Sequence, residues 1–139
     1  MPLKQLLFST EGRIPRSTYW LYSLAVTGIL IILTLVDLFT GLYDYEAEAG
    51  VLSTIFTFLM IFPGIMVAIK RAHDRDHSGW YILLMFIPLI NLWPGIELSF
   101  FAGTDGPNNY GPDPRRSHLG VVTDEPLVDH ATRDTTYGI

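Results

Sequence analysis

The chain has 139 residues, of which 49% are hydrophobic and only 17% charged, with a mean hydropathy of +0.31 and a net charge of −5. The acidic balance excludes the basic surface that nucleic-acid binding requires, and the lack of cysteine excludes disulfide frameworks, thiolate metal sites and cysteine nucleophiles. The apolar residues fall in blocks free of charge over roughly the 20 residues that a ~30 Å hydrocarbon layer requires, which predicts an integral membrane protein.

Residues 1–8, MPLKQLLF, set Leu3, Leu6 and Leu7 at helical spacing around Lys4 and Gln5, the pattern of a short helix lying on a membrane interface. In the next stretch Gly12 and Pro15 break the helix, and Glu11, Arg13 and Arg16 belong in headgroups or water. Ser17 or Thr18 is placed to cap the next helix. Residues 19–36 carry eighteen positions without a charge and open on Tyr19, Trp20 and Tyr22, an aromatic belt. This first span, 19–41, runs past Asp37 and ends at Gly41. It shows no small-x-small cleavage site, so it is expected to stay in the mature protein. The following loop holds Asp44, Glu46 and Glu48 and no Lys or Arg. Residues 51–69 are again uncharged, a second span at 51–70 in which Pro63 predicts a kink.

After the polar stretch KRAHDRDHS, residues 79–96 lack charge, and Glu97 interrupts the run before it closes at Ala102. These give a third span, 79–102; Pro88, Asn91, Pro94 and Gly95 also fit two half-helices of a re-entrant hairpin. From Gly103 the composition turns to Gly, Pro, Asn and Asp, the chemistry of consecutive turns. The expected organisation is thus an N-terminal segment (1–18), a membrane domain (19–114) and a disordered acidic tail (115–139). The fold class is an all-α integral membrane bundle of about three transmembrane helices.

Orientation follows the Lys and Arg of short loops, which are retained inside. Lys4, Arg13 and Arg16 precede the first span, and Lys70, Arg71 and Arg75 follow the second. The N-terminus is therefore expected in the cytoplasm, with the acidic loop outside. Three full spans put the tail outside as well; a re-entrant third segment reverses that last assignment.

The same arrangement brings basic residues and Trp80 to one surface, where anionic headgroups would gather. His73 and His77 stand one turn apart if the second helix continues that far, but too few ligands accompany them for a metal site, and no metal or cofactor is expected. Asp37 and Glu97 are carboxylates inside apolar runs, the residue type of an ion path. No nucleophile elbow, phosphate loop or dinucleotide fingerprint is present.

Three blocks resemble a known family of small bacterial inner-membrane proteins, the domain of unknown function 805 family. EGRIPRSTYW (residues 11–20) is similar to its Gly-Arg-x-x-Arg opening, KRAHDRDHSGWY (70–81) to its basic-basic-Leu-His-Asp block with Ser-Gly-Trp, and AGTDGPNNYGPDP (102–114) to its closing signature. Lys70 and Ala72 replace the usual Arg and Leu, and His77 stands where a small or polar residue is common. The resemblance implies a multi-pass inner-membrane protein with no assigned activity. It directs attention to Arg13, Arg16, Arg71, His73, Asp74, Ser78 and Trp80 as a lipid-headgroup or partner-binding cluster in a non-catalytic protein. The alternatives are an oligomeric transporter or channel subunit using Asp37 and Glu97, and a lipid-phosphate enzyme with His73 as base. Membrane lipids and further copies of the chain are the expected partners, nucleic acid is not.

Overall fold

A computed structural model describes residues 2–116; of the tail expected at 115–139, residues 117–139 lie outside the described residues. The first two charge-free blocks form two long helices. Helix α1, Leu3–Phe8, precedes α2, Arg16–Thr40, and α3, Val51–Asp74. Both α2 and α3 are long and apolar enough to cross a membrane. Leu21, Leu24, Ile32, Phe58 and Leu59 face outward from them, as hydrocarbon-facing side chains do. Three of their hydroxyl groups are satisfied within the helix: Ser23 donates to the Tyr19 carbonyl, Thr34 to Leu30 and Thr57 to Ser53, at 2.8–2.9 Å.

Helix α2 starts two or three residues earlier than a Ser17 or Thr18 cap would have it. Pro15 stands extended immediately before the first turn, and no side chain caps it. It ends as its sequence predicts, on Gly41 in the left-handed region at φ +75, whose N–H returns to the Asp37 carbonyl. A minimal hairpin, β1 Tyr43–Asp44 against β2 Ala49–Gly50, leads into α3. Helix α3 runs unbroken through Pro63.

The third expected span, 79–102, is not a single crossing helix. A 3-10 helix, Gly79–Phe86, is followed by a turn and a short α4, Leu92–Phe100. At about 2.0 and 1.5 Å per residue these rise only about 16 and 14 Å, half the hydrocarbon thickness each. The cause lies at Pro88 and Leu89: the proline cannot continue the hydrogen-bonded ladder, and Leu89 adopts φ +69. Pro94, by contrast, sits in the first turn of α4, where its missing N–H leaves no intrahelical bond unmade. Both outer ends of this hairpin return to the same place. Gly79 lies against Ile69 and His73 of α3, and the carbonyl of Phe101 accepts Arg71. The three-helix bundle is therefore two long helices with a broken hairpin packed on one end. The small core, Val67, Ala68, Ala72, Ile82 and Leu98, lies where the hairpin meets the last turns of α3.

Candidate functional site

Most of the polar chemistry gathers where α3 ends. Asp74 is buried there, its carboxylate between two guanidinium groups: Arg13 reaches Oδ1 through Nε and Nη2 at 3.2 and 3.1 Å, and Arg71 bonds Oδ2. Arg71 comes from one turn earlier on α3, and Arg13 from the loop before α2. Neither cation faces water; Arg71 is wholly buried and Arg13 nearly so. Two cations on one carboxylate would leave a surplus buried charge, and backbone carbonyls take it up. Arg13 donates to the carbonyls of Thr104, Gly106 and Gly111 at 2.7, 2.8 and 3.2 Å, and to the Thr104 hydroxyl.

The closing block thus wraps Arg13. Gly103 is needed for this approach, since a Cβ there would fall 2.0 Å from Asp74 Oδ2. Thr104 N–H then donates to the Asp74 carbonyl at 2.8 Å, Asn108 bonds the His73 carbonyl at 2.8 Å, and the Tyr110 ring stacks on His73 at 3.9 Å between centroids. Farther out, Arg115 bonds both Asp105 and Asp113. Its hydrogen bonds hold the Asp113 carboxyl down to about 2, and the same pairing raises the pKa of Arg115. Ordered contacts therefore continue past Pro114, the boundary the sequence drew for the membrane domain.

A second function of the arginines is less obvious. A helix leaves its last carbonyls without partners, and a short helix ending in apolar surroundings must find donors for them. The carbonyls of Leu98, Ser99 and Phe100 at the end of α4 accept Arg71 Nε, Trp20 Nε1 and Arg16 Nη1 at 2.8, 2.8 and 3.4 Å. Arg71 and Arg75 take the next two, Phe101 and Ala102. Lys70 does the same for α1, with Nζ 2.6 Å from the carbonyls of Gln5 and Leu6. Basic side chains at helix C-termini also meet the negative end of the dipole.

Beside this network Glu97 collects Arg75, His77 and Tyr81. His73 and His77 do not share a face: α3 ends at Asp74, Asp76 turns at φ +62, and His77 leaves to meet Glu97 while His73 stays under Tyr110. Among the described residues no three His, Asp or Glu side chains are grouped as a metal would need.

Of the residues expected to face headgroups, Arg13, Arg71 and Asp74 are turned inward with their polar atoms engaged, and His73 is largely covered. Arg16, Ser78 and Trp80 remain exposed. Asp37 and Glu97 are not brought together. Asp37 lies at the other end of α3, where both its oxygens accept the N-terminal amides of Leu52 and Ser53 and the Ser53 hydroxyl at 2.9–3.0 Å. Twenty-odd residues of helix, roughly 33 Å at 1.5 Å each, separate the two carboxylates.

Sequence reasoning missed Tyr81 and Thr104 as partners of this site and assigned Trp20 only to an interface belt. Tyr81 had a signal, since it follows Trp80 at the entry of the third expected span; Thr104 had none beyond its place in a turn-rich segment.

Known proteins share this architecture's sequence. A family described as protein of unknown function (DUF805) matches residues 7–112, from the end of α1 to the closing block. Inner membrane protein YhaH of Escherichia coli K12 is 38% identical over 105 residues, covering 76% of this chain and 86% of that one. Inner membrane protein YhaI is 37% identical over 107 residues, covering 76% and 85%. YiiR of the same organism, an uncharacterized protein, is 31% identical over 139 aligned positions, covering 81% and 90%. No solved structure matches. With a family match across most of its length, relatives that are inner membrane proteins and two membrane-length helices, the chain belongs to the DUF805 family of membrane proteins.

Proposed function

We propose that this is a non-catalytic inner-membrane protein whose polar cap lies at the cytoplasmic surface and holds Arg16, Ser78 and Trp80 out toward anionic lipid headgroups. The observation that carries it is the division of labour among the basic residues. Arg13, Lys70 and Arg71 are buried and consumed in holding the cap together, whereas Arg16 and Trp20, though each reaches one carbonyl of α4, stay exposed, as does Trp80. Each basic residue near an acidic lipid surface contributes about 1 kcal/mol. The opposite end of the long helices carries Asp44, Glu46 and Glu48 in the hairpin loop, which supports the inside–outside assignment.

Two measurements test it. The chain has no cysteine, so single cysteines at Ala47, Ser78 and Asp105 report topology directly; the last two should label from the cytoplasmic side and Ala47 from the other. In nanodiscs the protein should melt higher with phosphatidylglycerol than with phosphatidylcholine, and Arg16→Gln should reduce that difference. Equal melting in both lipids removes the headgroup reading.

A further inference from the structure

Between the N-terminal loop, the last turns of α3 and the 3-10 helix lies an open groove of about 560 Å³. Its walls are Ile65, Ile69, Ile82 and Phe86, and its polar end is made by Thr10 and His73. Gly79 keeps that end open. A Cβ at Gly79 would sit 3.4 Å from Ile69 and 3.9 Å from His73 Nε2, so any larger side chain would close the mouth over the imidazole. His73 itself is 8% exposed, held flat by Tyr110 on one side with the Gly12 backbone also facing it, and its Nε2 edge is directed toward Gly79.

We propose that this groove binds one acyl chain of a bilayer lipid, with the ester end of the chain at Thr10 and His73. The proposal rests on the membrane placement of α3 but not on the headgroup preference argued above. From Ile65 to His73 the groove follows eight residues of α3, a depth of roughly 12 Å at 1.5 Å per residue, beginning at the polar cap and descending into the apolar layer. A chain lying in it would run parallel to α3 and keep the depth of neighbouring lipid chains. The lining is aliphatic and aromatic along the descent and polar only at the cap, which matches a molecule with a polar end and a hydrocarbon body. Water in such a groove would leave its walls unfavourably wetted, whereas lipid chains are the apolar species present at that depth. Trp80, 77% exposed at the mouth, is the side chain suited to the boundary between chain and headgroup.

Native mass spectrometry of the detergent-purified, delipidated protein tests this, with phosphatidylglycerol or phosphatidylcholine added back. One lipid per chain should be retained with either headgroup. Gly79→Leu, which fills the mouth, and Ile65→Trp, which fills the deeper wall, should each weaken retention by roughly tenfold. A melting temperature in detergent equal to that of the wild type shows that the cap is intact in each variant. Wild-type protein that retains no lipid, or filled variants with an intact cap that retain it unchanged, would overturn the proposal. Retention without preference between the two lipids counts against the headgroup reading alone.

Discussion

The two ends of α3 meet the same requirement with opposite chemistry. At its N-terminus one buried carboxylate, Asp37, receives two amides and a hydroxyl, and a minimal hairpin completes the structure. At its C-terminus the buried charges of Arg13, Arg71 and Asp74, the further cation Arg75 and the closing loop are all committed, and an exposed Arg16 adds one long bond. The contrast follows from what each end lacks. A helix start offers N–H groups, which one anion at the positive end of the dipole satisfies. The cap must supply donors to the carbonyls of three helices at once, because α1, α3 and α4 all end there; Asn108 and the Thr104 N–H serve α3, and cations with several N–H groups serve α1 and α4. The cations in turn require Asp74.

The comparison makes unequal demands on the two carboxylates, and substitution should expose them. Asp74→Ala strands Arg13 and Arg71 in a buried site and should cost about 3–5 kcal/mol, seen as loss of folded protein or a large drop in melting temperature in detergent. Asp37→Ala removes only a cap and should cost about 1–2 kcal/mol. Gly50→Ala should resemble it, since the added carbon would fall 2.1 Å from Asp37 Oδ2 and push the carboxylate aside. Equal losses at the two ends would erase the distinction.

The cap should respond to acid. Asp113 has its carboxyl lowered from 3.8 to about 2, so its contribution is complete above about pH 4 and lost as pH falls through 2. Melting curves of wild type and Asp113→Asn should therefore differ at neutral pH and converge near pH 2. The smallest effect is expected from Trp20→Phe, which removes the bond to the Ser99 carbonyl and keeps the ring packing against Phe100. About 1 kcal/mol, measured by thermal melting, is the expected loss.

Much of the frame was legible from residues. Charge-free runs marked α2 and α3, Gly41 marked an end, and Leu3, Leu6 and Leu7 marked α1. The third segment misled because hydropathy records which residues prefer lipid, not whether the helix through them is continuous. Pro88 and Asn91 pointed to the break, yet eighteen uncharged residues satisfy a length criterion equally well when folded in half. The site was half legible. Its motif blocks singled out Arg13, Arg71 and Asp74 together, but their charge suggested a lipid-facing ring. Burial depends on Gly103 letting the closing block approach Asp74, a contact between distant parts of the chain that no local pattern encodes. The bonding of Asp37 to the free amides of α3 was hidden for the same reason: a cap from another helix leaves no mark in spacing.

Arg13 has a consequence for how the protein is made. Its carbonyl acceptors lie 91, 93 and 98 residues later in the chain. A ribosome therefore delivers this cation long before Thr104, Gly106 and Gly111 exist, and it must wait at the aqueous boundary while both long helices are inserted. Closure of the network is consequently a late step of biogenesis, and a nascent chain halted before Gly103 would hold its membrane helices with that arginine still hydrated.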